Sequence, residues 1–336
     1  MIINTINEYS ELKSMIVGNI DFANWPEGDD YFDAMINSGT FDAELRRGPI
    51  LNSIKDQANK DLDSLVELLE KENVKVYRPQ KKNWELKYTK FGRTTTGMHS
   101  YSTRDLILTL NNKAIECPTP YISRHHEFFA YEEIKKNAIK DGCHWISSSL
   151  PEMRESDYTI KKDKLILSEE QPIFDAANVL KFNDKLLYLI SCTGNYAGAK
   201  WLQKVVGNDF EVIIWDGVYS HAHIDSTINS LNKNTIILNG SRVTENNLPK
   251  FLKDFKKIWV NELNAREFSG YPYSSKWIGL NIISSNPETV FVDSNQKEMT
   301  DNLRGEGFKV INTPMHHSRT LGGGFHCVTL DLERAY

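Results

Sequence analysis

Cysteine is scarce here: four in 336 residues, Cys117, Cys143, Cys192 and Cys327, far apart and with no CxxC pair. That spacing excludes a zinc cluster and a small disulfide framework, and it fits a reducing compartment. A dominant charge sign is missing too. Lys and Arg number 40 against 45 Asp and Glu, a formal net charge of −5 with no basic block. Neither a nucleic-acid footprint nor an anchor for anionic membranes is written into such a chain. Long apolar runs are absent, none approaching the ~20 residues that span a bilayer. The first eight residues, Met1 to Glu8, carry no basic stretch leading into an apolar run and no Arg-rich amphipathic pattern. The expectation is a cytoplasmic protein over residues 1–336, one domain, with small molecules as partners and neither nucleic acid nor membrane.

What is present is a repeat. A strand pattern at Ser14 to Gly18 precedes an irregular polar stretch from about Asn19 to Pro49, which reads as a long loop. Helical spacing follows from Ile50 to Asn73, and a strand at Val74 to Tyr77. From Arg104 onward one order recurs: hairpin, helix, strand. The hairpins are Arg104–Leu110 with Ala114–Pro118, Phe174–Phe182 with Leu186–Ile190, His223–Leu231 with Thr235–Leu238, and Lys276–Ile283 with Thr289–Asp293. Turns rich in Asn, Asp, Lys and Ser join them. Helices are expected near 127–139, 197–206, 249–255 and 299–303, with return strands at Trp145-Ile146, Phe210–Ile214 and Phe308–Ile311. The last strand, Cys327 to Leu332, has no return partner in sequence, so it is expected to pair with Met15–Val17 and close a ring of five units. A single mixed α/β sheet would satisfy the same order of elements.

Polar residues recur at one place in this repeat. Asp105, Asp175, His223 with Asp225, and Cys327 stand at or just before the first strand of a unit, and equivalent positions in a ring face its axis. Each has a plain alternative: a surface ion pair for Asp105, a cap for Asp175, an exposed imidazole for His223, an edge charge for Asp225. Cys327, delivered by Gly322-Gly323-Gly324, has the alternative of a structural thiol behind a flexible turn. Taken together, a thiol, an imidazole and a carboxylate supply nucleophile, proton carrier and orienting base. Read as strand residues, His223 and Asp225 share one face, and His326 points to the face opposite Cys327. Two further carboxylates, Asp105 and Asp225, suit a planar guanidinium held by paired charge-assisted hydrogen bonds.

The runs Phe174-Asp175-Ala176-Ala177-Asn178, His223-Ile224-Asp225-Ser226-Thr227, Ser274-Ser275-Lys276-Trp277 and Leu321-Gly322-Gly323-Gly324-Phe325-His326-Cys327 resemble those of the L-arginine amidinotransferases. The resemblance covers nearly the whole chain. It implies an α/β fold, the five-bladed α/β propeller (pentein) of guanidino-group-modifying enzymes, with no cofactor or metal. It also implies Cys327 as nucleophile, His223 as acid and base, and Asp175 as its orienting partner. Asp105 and Asp225 match the family's guanidinium-binding aspartates, Arg242 its donor-carboxylate arginine, and Ser274 and Ser275 its substrate-binding serines. L-Arginine and an amine acceptor are the implied substrates, and a homodimer would be in keeping.

Asn178, Val179-Leu180 and Gly198 to Gln203 look more like the inosamine-phosphate enzymes than the glycine enzymes, which turns the acceptor away from glycine without naming another. Acceptor choice is expected in the irregular segments 19–49, 81–100, 153–168 and 265–273, since loops carry specificity on a rigid scaffold. His316, His317 and Arg319 are either substrate contacts or a solvated loop. Two rivals share the fold: an arginine deiminase-like hydrolase with water as acceptor, and a catalytically silent propeller used for binding.

Overall fold

The computed structural model describes residues 1–38, 45–264 and 271–336. These contain β1 (Glu11–Val17), helix α1 (Asp30–Asn37), helix α2 (Asn52–Lys71) and β2 (Lys75–Tyr77). The hairpin β3 (Ile107–Leu110) and β4 (Lys113–Glu116) continues through α3 (Glu132–Lys140) to β5 (His144–Ser147). The next unit is β6 (Val179–Phe182), β7 (Lys185–Leu189), α4 (Tyr196–Val206) and β8 (Glu211–Trp215). Then come β9 (Ile228–Asn232), β10 (Thr235–Asn239) and β11 (Lys256–Val260), followed by β12 (Ile283–Asn286), β13 (Thr289–Asp293), α5 (Lys297–Gly305) and β14 (Lys309–Thr313). Strand β15 (Thr329–Ala335) ends the chain.

Among the described residues these strands make five separate three-stranded sheets rather than one mixed sheet. In each, an antiparallel pair is extended by a third strand parallel to the middle one. The first sheet is sewn from both ends of the chain, with Ile16 opposite Leu330 and Val17 opposite Thr329. Asn111 and Asn183 sit in the left-handed region at φ 48 and 57, the backbone that tight hairpin turns require and that Asn tolerates. Helix α2 buries Ile54, Ala58, Leu62, Leu65 and Leu69 on one face, as its spacing of three and four residues dictates. Between sheets, Leu180 and Leu187 pack with Ile224, Ile236 and Leu238.

Several expectations change. The stretch 19–49 is not simply a loop. It contains α1, capped by Asp29, whose side chain accepts from the Phe32 N–H, and anchored by buried Tyr31, Phe32, Met35 and Ile36. Asn24–Trp25 also pairs with Gly48–Pro49. The segments near 81–100 and 153–168 hold hairpins, Lys87–Lys90 with Arg93–Thr96 and Tyr158–Lys161 with Lys164–Leu167. The helix expected at 249–255 is one tight turn, Lys250–Leu252, where Pro249 starts a segment too short for a stable α-helix.

The first strands of the units also begin two to seven residues later than their patterns suggest, at Ile107, Val179, Ile228 and Ile283, and the last at Thr329. What precedes four of them is a single 3-10 turn: Thr103–Asp105, Ala176–Asn178, Ile224–Ser226 and Lys276–Leu280. Each of these turns touches the next. The Gly322–Val328 segment joins the two ends of the series, with the Arg104 N–H donating to the Cys327 carbonyl and the Phe325 N–H to the Asn281 carbonyl.

Beneath the turns lies a buried ionic cluster. Glu8 stands 3.3 Å from Arg104 and 3.6 Å from Lys181, while Asp331 is 2.8 Å from Arg104 and 2.7 Å from Arg334. Charges this deep persist only when paired. The N-terminal segment delivers Glu8 by bridging successive sheets, Asn4 to Glu333, Thr5 to Asn111 and Asn7 to Phe182.

Candidate active site

The turns open onto a pocket, about 800 Å³ when its open mouth is counted, whose lining includes Asp105, His223, Asp225, Ser274, Ser275 and Cys327. Asp175 sits directly behind His223, fully buried. Arg242 does not line the cavity. Its guanidinium is held by the Ser226 Oγ at 2.8 Å and the Thr227 Oγ1 at 3.0 Å, and it lies 3.6 Å from the centroid of the Tyr219 ring. Ser226 and Tyr219 form the wall in front of it. His316, His317 and Arg319 also stay off the lining: the His316 Nδ1 pairs with Asp61 at 2.8 Å, and the Arg319 carbonyl accepts from the Tyr273 and Ser274 N–H groups.

Cys327 lies in a turn, not on a strand, and two glycines explain why the turn can exist. Gly322 has φ 72, and a Cβ there would stand 2.4 Å from the Tyr273 ring. A Cβ on Gly324 would meet the Asn281 Cβ at 2.7 Å. Both contacts are closer than side chains tolerate. The close approach is used: the Cys327 N–H donates to the Asn281 Oδ1 at 3.0 Å, and the Asn281 Nδ2 donates to the thiol sulfur at 3.1 Å. The Sγ also lies 3.3 Å from the Asp225 Oδ2. Burial, with Asp225 and Asp105 nearby, holds the thiol well above its ordinary range, so these surroundings favour its protonated form.

His223 stands between two carboxylates. Its Nε2 is 2.9 Å from the Asp175 Oδ2, and its Nδ1 is 3.5 Å from the Asp105 Oδ1. Burial would lower its pKa, but Asp105, Asp175 and Asp225 outweigh burial and raise it to about 9. At neutral pH this imidazole is therefore an imidazolium, an acid ready to give up a proton. His223 and Asp225 do reach the same cavity, by way of a 3-10 turn that starts just after His223 and not by strand alternation.

Two supporting residues, Arg124 and Asn281, escaped the sequence, and a third, His326, figures there only as the neighbour that points away from Cys327. Arg124 donates to the Asp105 Oδ2 at 2.7 Å and grips Glu127 through its Nε and a terminal nitrogen. Burial raises Glu127 to about 7 even against that partner. Asn281 brackets the thiol. His326, one residue from Cys327, places its Nδ1 3.0 Å from the Asp225 Oδ2 and its Nε2 3.6 Å from Glu8. It faces away from the cavity, set by the turn rather than by a strand, and it helps hold Asp225 below the usual carboxylate range although burial opposes this. Only the neighbourhood of Cys327 could have pointed to His326. Nothing in the local sequence marks Arg124 or Asn281.

A protein with this chain length and these motifs has known relatives. The inosamine-phosphate amidinotransferase 1 of Streptomyces griseus is 34% identical over 337 residues, 99% of this chain and 97% of its own. The chain belongs to the amidinotransferase family. The solved structure of the Streptomyces griseus enzyme superimposes with a TM-score of 0.96 at 34% identity, covering 99% of this chain and 97% of that one. An amidinotransferase of the saxitoxin biosynthetic pathway from Microseira wollei gives 0.91 at 26% identity, with 99% and 98% covered. The L-arginine:L-lysine amidinotransferase of Pseudomonas savastanoi pv. phaseolicola is 29% identical over 338 residues, 97% of this chain and 93% of its own. No family model matches. The mixed α/β fold reaches further still, to DDAH from Pseudomonas aeruginosa at a TM-score of 0.60 and 14% identity, covering 96% of this chain and 99% of that one. As a family member this chain is a transferase, and among its described residues no helix is long and apolar enough to cross a membrane.

Proposed function

We propose that this transferase moves the amidino group of L-arginine to an amine of specialised metabolism, on one five-bladed α/β propeller closed by β1 and β15. The observation that carries this reading is His223 clamped between Asp105 and Asp175 on the same cavity as a thiol that Asp225 and Asn281 touch. The relatives named for inosamine phosphate and for saxitoxin support the specialised setting.

The guanidinium of arginine takes the place between Asp105 and Asp225, and its carboxylate end lies toward Arg242, Ser274 and Ser275. Positive charge beside the sulfur favours thiolate, so the Cys327 proton passes to solvent when arginine binds, His223 being already protonated. The thiolate sulfur then bonds to the guanidino carbon, the bond from that carbon to the ornithine nitrogen breaks, and the His223 imidazolium gives that nitrogen its proton. Ornithine departs and the amidino group stays on sulfur. An incoming amine loses a proton to His223 as its nitrogen bonds to the amidino carbon. The carbon–sulfur bond breaks and Cys327 leaves as thiolate, which takes a proton back from solvent as the product departs and so restores the starting thiol beside the His223 imidazolium.

Ornithine and citrulline, measured after incubation with arginine and a panel of amines, test this. Ornithine matched by a guanidino product is expected, and Cys327→Ala should release neither. Citrulline in its place would make the protein a hydrolase. Failure of arginine to protect Cys327 from alkylation would favour a binding module.

A further inference from the structure

Among the described residues that line the cavity, two have buried side-chain atoms without a hydrogen-bond partner: Asp105, through its Oδ1, and His99, through both ring nitrogens. The arginine reading gives the Asp105 oxygen a partner. It leaves His99 with none.

An imidazole 1% exposed with both nitrogens unsatisfied costs stability, and such groups are kept where a ligand completes them. The ring is also fixed in place. It stands edge-on to Trp25 at 6.4 Å and to Tyr101 at 6.0 Å. Burial, reinforced by the Arg124 charge, lowers its pKa to about 3, so it is neutral and offers one donor and one acceptor.

The cavity lining includes Phe32, Met35, Met98, Tyr121 and Tyr273, and Trp25, edge-on to His99, packs against Phe32 and Tyr273. The described lining holds two cations, and both are already engaged: the His223 imidazolium by Asp105 and Asp175, and Arg124, the one whose charge reaches His99, by Asp105, Glu127 and the Ser102 carbonyl. An anionic group at this end would meet those carboxylates with no cation to spare. A neutral polar group would meet an open donor and an open acceptor. This end lies on the segment preceding Asp105, whereas Arg242 and Ser226, on the side given to the donor carboxylate, belong to the unit that starts at His223, with Tyr219 just before it.

We propose that His99 is the hydrogen-bonding contact that selects the amidino acceptor, and that it takes a hydroxyl or amide group on an amine of low polarity rather than a carboxylate or phosphate. This rests on the transferase reading, and the experiment separates the two.

Full-length protein is loaded with arginine, the amidino adduct on Cys327 is confirmed by intact mass, and its discharge by aminopropanol, propylamine and β-alanine is timed. Aminopropanol should discharge it fastest, by roughly tenfold over propylamine, the worth of one added hydrogen bond in a site built to receive it. β-Alanine should be slowest. His99→Phe should erase the preference for aminopropanol and slow its discharge by roughly ten times more than it slows loading, while His99→Gln, which keeps a donor and an acceptor, should restore part of it. Loading by arginine also reports that each variant is folded. The inference fails if β-alanine is fastest, if aminopropanol gains nothing over propylamine, if the ranking survives in His99→Phe, or if loading falls as much as discharge. A wild-type protein that forms no adduct overturns the transferase reading and this inference with it.

Discussion

At the scale of single residues, charge placement sets what each group can do. Asp175 supplies His223 with a hydrogen bond and a charge, and with Asp105 it overcomes the burial that would otherwise keep the imidazole neutral. A histidine raised to about 9 keeps its acid form, and the stability that form contributes, below its ordinary pKa near 6.5, and loses both as pH rises through the higher value. Asp175→Asn should therefore shift the basic limb of the arginine-loading rate down by about one pH unit or more. A pH profile of loading measures it, and an unmoved limb would assign that limb to another group. Arg124 acts through structure as well. Arg124→Met leaves Asp105 and Glu127 buried without their cation, which should cost roughly 3 kcal/mol or more of stability. Denaturant unfolding would show it as a lowered midpoint. These roles were only half legible in the sequence. Cys327, His223 and the aspartates stood out because polar residues interrupt apolar runs at equivalent places. Arg124, Asn281, His99 and His326 did not, because burial and pairing across sheets leave no trace in local pattern.

At the scale of elements, the turn and not the strand carries the chemistry. The alternation rule read His223, Asp225 and Cys327 as strand residues, yet 3-10 turns and a glycine turn hold them. A pattern of apolar residues marks where a strand fits and is silent on how the chain enters it. The same blindness hid α1, whose eight residues are too few for a clear helical period. The hairpins were legible because their Asn-rich turns demand an unusual backbone that few residues supply. The glycine turn is where the site is most exposed to small changes. A Cβ at Gly324 would stand 2.7 Å from the Asn281 Cβ and 3.0 Å from its carbonyl oxygen, so Gly324→Ala must move Asn281, Cys327 or both. A shift of even ~1 Å in a reacting group costs about a hundredfold in rate. Gly324→Ala should thus reduce loading by about that factor while far-ultraviolet circular dichroism stays native. Equal loading in variant and wild type would show that the close packing around Cys327 is not what positions it.

At the scale of the molecule, the two ends of the chain meet on one sheet, and the N-terminal segment carries Glu8 into the cluster that Arg104, Lys181, Asp331 and Arg334 share. The cluster ties β15, β6 and the turn before β3 together and touches the site through His326, so global stability and the setting of Asp225 depend on the same charges. Burial would raise the pKa of Glu8, but Lys181 and Arg104 outweigh it and hold the carboxylate at about 2, against an ordinary value of 4.5. A depressed carboxylate contributes stability that is whole above its ordinary value and lost as pH falls toward the lower one. The melting temperature should therefore decline between about pH 4.5 and pH 2. Glu8→Gln should remove part of that slope and, at neutral pH, destabilise the protein by roughly 3 kcal/mol, because Lys181 and Arg104 lose a buried partner. Some slope should survive, since Asp331 is also held far below the carboxylate range by Arg334, Arg104 and Lys181 against the effect of burial. Calorimetry of both proteins across that range decides it: parallel curves would mean that the Glu8 charge does not hold the ends of the chain in place.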